Sequence, residues 1–413
     1  VSEAYAAARV VTCDPARATP ADPLGVIEDG AVVVDAGRVV WVGPRSDLPE
    51  EVNLTDHPRQ VLTPGLVDAH THSCWVGSRH TEYAARMAGG DYEAIARGGG
   101  GILATYRSVV AATQAELARE LTERLRRMAA LGVTCVEVKS GYGLEPAYEE
   151  KQLRAIAEAA SDPSLPAVVP TFLALHALPP SAHGDPAAYV DRVARELVPR
   201  FAEARLVEFV DAYIDPNAFR AEDARAVARA AVAAGLSVRL HVGQFADRGG
   251  AELCAEIGAA SADHLEHVSD EGIAKLAHAG TSAILLPIAS FTLGQAPPPV
   301  AKLREARIPM VIASDANPGT APTESLPLAI AMAVRAYGLS PTEAILGATR
   351  LAAASLRRFG KGVSETRGAL VPGACADLVI WDLPHETALV QPWGTSRTRL
   401  VMRDGRVIHP SPA

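Results

Sequence analysis

Eight short apolar runs, separated by Ala-, Arg- and Glu-rich amphipathic stretches, limit what this chain can fold into more than any other feature. The runs are VLTPGLVDAHTH, VTCVEVKS, AVVPTFLALHA, LVEFVDAYI, LSVRLHV, SADHLEHV, TSAILLP and IPMVIASD. Between them lie helical stretches such as residues 114–131 and 221–234. Strand and helix alternating in this way read as repeated βα units around a parallel sheet. Eight units over about 300 residues suit a (β/α)8 barrel, whose usual length is about 250. A doubly wound sheet is the rival architecture. The barrel is preferred because polar residues gather where the strands end, the rim on which barrel enzymes carry their chemistry.

The two ends of the chain follow a different grammar. ARVVTCD, GAVVVDAGRVVWVG and RQVLTPG near the start, and GALVPGACADLVIWD and TRLVMRDGRVIHP near the finish, alternate β-rich runs with turn residues. Asp404-Gly405 is a strong hairpin signal. The expected architecture is therefore α/β: a barrel over residues 63–362, with residues 1–62 and 363–413 closing into one small β-sandwich. Composition narrows the function classes. With 48% hydrophobic and 21% charged residues the 413-residue chain is ordinary globular material, and a net charge of -9 supplies no positive field for nucleic acid or an anionic membrane. A small-molecule partner is expected. The opening VSEAYAAARVVTCDP has no basic start followed by an apolar run, and no stretch of about 18 apolar residues occurs. Five scattered cysteines, never spaced C-x-x-C, indicate neither a disulfide framework nor a zinc knuckle, so a reducing cytoplasm is expected.

Chemistry concentrates at the strand ends. His70 and His72 form an H-x-H at the end of the first barrel strand, where alternate residues point to one side. An isolated H-x-H is most simply a pair of rim histidines, but His241 ends the fifth strand, His264 lies in the sixth and Asp315 ends the eighth. Imidazole and carboxylate donors with room for water describe a catalytic zinc or iron site better than a closed structural one. His176 ends the third strand and is expected to touch substrate. His57, His80, His183, His267, His278, His385 and His409 are expected at the surface. Gly98 to Gly101 lacks the Lys-Ser/Thr of a phosphate loop and does not follow a strand, so it is expected to be a flexible loop near the mouth of the site.

Taken together, PGLVDAHTH, the strand-five His, the strand-six His and the strand-eight Asp resemble the amidohydrolase superfamily. More narrowly, VGSRHTEYAARMAGGDYEAIARGGGGI, VEVKSGYGLEP, TFLALHALPP, SADHLEHVSDEGI and SDANPGTAPT resemble the imidazolonepropionase family, through the barrel and both flanks. The resemblance implies that His70, His72, His241 and Asp315 hold one zinc or iron ion. It also implies that Arg79, Tyr142, His176, Gln244, Asn317, Gly319 and Thr320 contact substrate or product. The implied reaction opens 4-imidazolone-5-propanoate to N-formimidoyl-L-glutamate in histidine degradation. Asp315 would accept the proton of the attacking water, and His264 would stabilise charge on the attacked carbonyl. A homodimer is implied as well. The residue types fit these roles: Arg79 offers a planar fork to a propanoate, Tyr142 a phenol to the same carboxylate, and Gly319 a close backbone approach.

One segment departs from the family. Val242, Gly243 and Gln244 follow His241, where at least one acid is usual; Gln cannot accept a proton, which disfavours a deaminase-type reaction. LVEFVDAYI contains no lysine to bridge two metals, so one ion is expected. The drifted segment leaves open hydrolysis of another carboxylate-bearing cyclic amide, which a panel of lactams and hydantoins would distinguish. A non-catalytic amidohydrolase-like scaffold is the reading from a different class, and a metal assay separates it, since such scaffolds have generally lost metal ligands.

Overall fold

The computed structural model describes residues 2–90, 100–360, 365–391 and 393–410. The expected boundary at 362/363 and the first two glycines of the Gly98–Gly101 run lie outside the described residues. At the start of the chain, β1 (Ser2–Val11), β2 (Val26–Asp35), β3 (Arg38–Pro44) and β4 (Val52–Pro64) form one sheet with the terminal strands β13 (Leu378–Trp381), β14 (Thr398–Arg403) and β15 (Arg406–Pro410). Its order is β15-β14-β13-β4-β1-β2-β3, seven strands that run antiparallel except for β1 beside β4. The Asp404-Gly405 hairpin is present, both residues left-handed at φ 49° and 74°. Ala36-Gly37 makes the same kind of turn between β2 and β3, at φ 45° and 79°. Positive φ at both central residues matches the twist of the flanking strands.

The run VLTPGLVDAHTH is shared between two sheets. Val61 to Pro64 belong to β4 and pair with β13, whereas Leu66–Asp68 form β5, the first barrel strand. The crossing point is Gly65, where a side chain would collide with Thr134 (a Cβ there would lie 2.7 Å from the Thr134 Cβ). The barrel continues through β6 (Val133–Lys139), β7 (Ala167–Leu175), β8 (Phe209–Ile214), β9 (Ser237–Val242), β10 (Ser261–His264), β11 (Ser282–Leu285) and β12 (Met310–Ile312). These eight strands are parallel and each neighbours the next in chain order. Helices Gln114–Ala129 and Ala221–Ala233 occupy the stretches read as helical. Thr113 and Glu116 begin the former with a reciprocal capping box. The last strand returns to the first through backbone hydrogen bonds, Asp315 N–H to His70 C=O at 3.1 Å and His72 N–H to Ala316 C=O at 3.0 Å.

Trp381 joins the two layers. It is 2% exposed, packs over Gly132 at the entrance to β6, and donates its indole N–H to Thr63 Oγ1 at 2.8 Å. Among the described residues no helix is long and apolar enough to cross a membrane. Trp381→Ala should destabilise the protein by about 3–5 kcal/mol through loss of buried area and the cavity left behind. Trp381→Phe, which loses the donor and one ring, should cost less. Thermal unfolding of the two variants beside the parent checks the order; equal midpoints for all three would refute this role for the indole.

Candidate active site

Beyond β5 the chain stays extended, so His70 and His72 emerge on one side while Ala69 and Thr71 face the other. Both histidines are buried, and so are His241 near the end of β9 and Asp315 three residues past β12. The ligand-type nitrogens of His70, His72 and His241 lie within 4.8 Å of one another. His72 Nε2 and His241 Nε2 approach to 3.3 Å, and Asp315 Oδ1 sits 3.5 Å from Nε2 of both His70 and His72. Asp315 adopts φ +54°, a left-handed conformation uncommon outside glycine and one that tends to gather at functional sites. The barrel seam holds it there, because its own N–H is bonded to His70 C=O.

Beneath the histidines lies a layer of charge that was not anticipated. His70 Nδ1 is 2.6 Å from Asp263 Oδ2, and His241 Nδ1 is 3.0 Å from Asp211 Oδ2. A carboxylate there selects the Nδ1–H tautomer, leaving a lone pair on Nε2. Lys139 Nζ bonds Glu137 at 2.7 Å and Asp211 at 2.8 Å, while Arg239 lies 3.6 Å from Asp263 and donates to Ala69 C=O at 2.7 Å. All five charged side chains are fully buried. The signal for them was present in the sequence, as charged residues inside otherwise apolar strands: VEVK, VDAY, VRLH and SADH.

These residues fit a cation. Burial, with Lys139 and the neighbouring imidazoles adding to it, holds His70 and His241 well below the usual histidine pKa, and burial with the other histidines does the same for His72. Neutral imidazole is the ligating form. His70 Nε2 is buried with no hydrogen-bond partner among the described residues, and Nε2 of His72 and His241 face each other with no proton to share if both carry lone pairs. The layer below sets the carboxyl groups of Glu137, Asp211 and Asp263 against the side chains of Lys139 and Arg239. Burial lifts the Asp315 carboxyl to about 7, against an opposing pull from His264; a cation beside it acts in the opposite sense.

The remaining predicted residues surround this centre. His264 lies 5.5 Å, ring to ring, from His241. Burial pulls its pKa down, but Glu266 and the Asp315 and Asp263 carboxylates outweigh burial and leave it raised. Glu266, 3.7 Å from His264 Nδ1 and bonded to Ser290 Oγ at 2.6 Å, was not singled out; its spacing two residues after His264 was the available sign. His176 stacks on His72 at 5.4 Å and contacts Tyr142 at 5.2 Å, and burial brings its pKa down to about 4. Arg79 is buried, bonded to Glu82 at 3.0 Å, and lies against Gly319, whose missing side chain gives it room. Gln244 accepts from Tyr213 OH at 2.8 Å. Asn317 and Thr320 sit beside Asp315, but their polar atoms bond within the loop: Asn317 Oδ1 accepts from Gly319 N–H and Thr320 N–H, and its amide donates to Asp315 C=O. An 860 Å³ cavity adjoins the site, lined in part by Tyr213, Asp215, Phe219 and Phe245. Of the histidines expected outside, His80, His183, His267, His278 and His385 are exposed and His57 and His409 are half-buried. All five cysteines are free and buried.

Comparison with known proteins agrees with this geometry. Residues 61–408 match the amidohydrolase family, and residues 30–51 match the imidazolonepropionase-like composite domain of bacteria. An imidazolonepropionase from Acidiphilium cryptum is 47% identical over 91% of this chain and 92% of its own length. One from Ralstonia nicotianae is 42% identical over 94% and 95%. Among solved structures, Escherichia coli guanine deaminase superposes with a TM-score of 0.71 at 18% identity, covering all of both chains. A zinc-bound adenosine deaminase from Xanthomonas campestris reaches 0.70 at 19% identity over 98% of this chain and 92% of that one. Such distant likenesses speak for the barrel and its appended sheet. With near full-length identity well above 30% to its curated relatives, this chain belongs to the imidazolonepropionase family of amidohydrolases.

Proposed function

We propose that this protein hydrolyses the cyclic amide of 4-imidazolone-5-propanoate to N-formimidoyl-L-glutamate with one metal ion, zinc or iron, held by His70, His72, His241 and Asp315. The observation that supports the reading is a metal-type cluster of imidazole nitrogens from His70, His72 and His241, with His72 in ring contact with His176 and Tyr142. Family membership supports it. The barrel, taken as residues 63–362, carries this chemistry, and residues 1–62 with 363–413 brace it.

When bound, the ion lowers the pKa of a water towards about 7 and so supplies a nucleophile at neutral pH. Asp315 accepts the proton of the water that adds to the ring carbonyl carbon. The carbon–nitrogen bond then breaks, and Asp315 returns the proton to the departing ring nitrogen, which becomes the formimidoyl nitrogen. His264, whose pKa the nearby Glu266 carboxylate raises against the effect of burial, donates to the carbonyl oxygen as negative charge develops there. Arg79 and Tyr142 hold the propanoate, and His176 closes the gap between that end and the metal end. Gln244 serves as a hydrogen-bonding side chain, since an amide has no acidic proton to exchange. The Val242-Gly243-Gln244 departure favours, as a second reading, a related carboxylate-bearing cyclic amide.

Purified metal-loaded protein given freshly generated 4-imidazolone-5-propanoate should abolish its ultraviolet absorbance and yield the formimidoyl product; no loss of absorbance beside turnover of a hydantoin or lactam would favour the second reading. His72→Ala should lose most of its bound metal by elemental analysis while remaining folded, and full metal occupancy with normal turnover would overturn the ligand assignment. Arg79→Lys keeps the charge but not the planar fork, so kcat/KM should fall with metal content unchanged. An unaltered kcat/KM would put the propanoate elsewhere. Asp315→Asn, reloaded with metal, should lose at least about 10²-fold in kcat, the usual cost of a missing general base. Parent-level turnover in that variant would assign the proton to His264 or to solvent.

A further inference from the structure

The loop that presents Tyr142 is held by two side chains of the helix that follows it. That helix, Pro146–Ala160, turns Glu149 and Gln152 back into the loop, and both are buried, 2% and 0% exposed. Glu149 Oε2 accepts from Gly141 N–H at 3.0 Å and its Oε1 from Leu144 N–H at 2.6 Å. Gln152 Oε1 accepts from Tyr142 N–H at 3.1 Å and from Gly143 N–H at 3.2 Å. Four consecutive backbone donors are thereby satisfied by two residues, which stabilises a turn containing left-handed Gly141 (φ +106°) and Leu144 (φ +56°). Gln152 does a second thing: its Nε2 donates at 2.5 Å to the carbonyl of Cys74, two residues beyond His72. One amide side chain thus touches both the metal-histidine segment and the Tyr142 loop. Gly141 C=O in turn accepts from His176 Nδ1 at 2.7 Å, tying the third-strand histidine to the same turn.

The donor and acceptor pattern explains why these two residue types stand at these two positions. Position 149 faces an N–H on each oxygen and needs two acceptors, which a carboxylate supplies and an amide does not. Position 152 faces N–H groups on one side and a carbonyl on the other, and needs one acceptor and one donor. Each isosteric exchange therefore breaks one hydrogen bond while keeping the volume.

Resting on the function proposed above, we propose that Glu149 and Gln152 are positioning residues that set the distance between the metal histidines and Tyr142, and with it the length of carboxylate-bearing side chain that the site accepts. The metal-loaded parent, Glu149→Gln and Gln152→Glu are compared for metal content, for kcat and KM on 4-imidazolone-5-propanoate, and for calorimetric binding of succinate, glutarate and adipate. Both variants are expected to keep their metal and most of kcat, to raise KM about tenfold, as the loss of one buried hydrogen bond predicts, and to narrow the preference among the three diacids. Unchanged KM with an unchanged diacid preference overturns the inference, and so does a fall in kcat and metal content with KM preserved. If Gln152→Glu does not fold, Gln152→Asn retains donor and acceptor one methylene shorter and is held to the same outcomes. A parent that fails to turn over the imidazolone removes the functional reading alone, because the shift in diacid preference is then measured without it.

Discussion

Two buried carboxylates beneath the rim, Asp263 on His70 and Asp211 on His241, are the interactions on which the candidate site depends. Each removes the Nδ1 proton from competition and leaves Nε2 facing the centre as a lone pair. Placing carboxylates in a barrel core is costly unless they are paired, because desolvation outweighs an incomplete set of partners. Lys139 and Arg239 provide the pairing, and Lys139 meets Glu137 and Asp211 at hydrogen-bonding distance. Removing one of these cations would strand a charge rather than simply delete a contact. The layer is therefore rigid for an electrostatic reason, and the imidazoles above it inherit that rigidity.

The seam of the barrel adds the second constraint. A parallel sheet becomes a barrel only when the last strand bonds to the first, and here that closure falls on the site itself. Asp315 N–H bonds to His70 C=O and Ser314 N–H to Asp68 Oδ1. Closure of the sheet and approach of the Asp315 carboxylate to the histidines are thus one event. Gly65 makes the arrangement possible from below, since it lets the chain leave β4 and enter β5 without a side chain at the crowded crossing over Thr134.

Much of this was legible in the amino-acid order. The eight apolar runs became eight parallel strands because each is short, β-rich and separated by a helical stretch long enough to cross over. The convergence of His70, His72, His241 and Asp315 followed from their common place at strand ends. The charged layer was not legible in the same way. Glu137, Lys139, Asp211, Arg239 and Asp263 sit in strands that otherwise read as core, and which acid meets which base depends on neighbouring strands in the closed barrel. Glu149 and Gln152 were hidden for a different reason: polar residues in the first two turns of a helix are ordinary solvent-facing choices until the preceding loop is seen folded over them. Asn317 and Thr320 show the converse. Their place beside Asp315 was foreseen, whereas the bonds that their polar atoms make to one another and to the backbone of their own loop were not.

The sequence alone determined the period of the fold, the residue types at each strand end and the hairpin at Asp404-Gly405, because these depend on local geometry: alternation along a strand, and a turn that requires positive φ. Only the tertiary structure decided which nitrogen of each histidine is presented, which carboxylate braces it and how far the metal-type cluster lies from Tyr142. Those quantities depend on contacts between residues as far apart as His70 and Asp263, separated by 193 positions, and such distances exist only once the eighth strand has closed on the first.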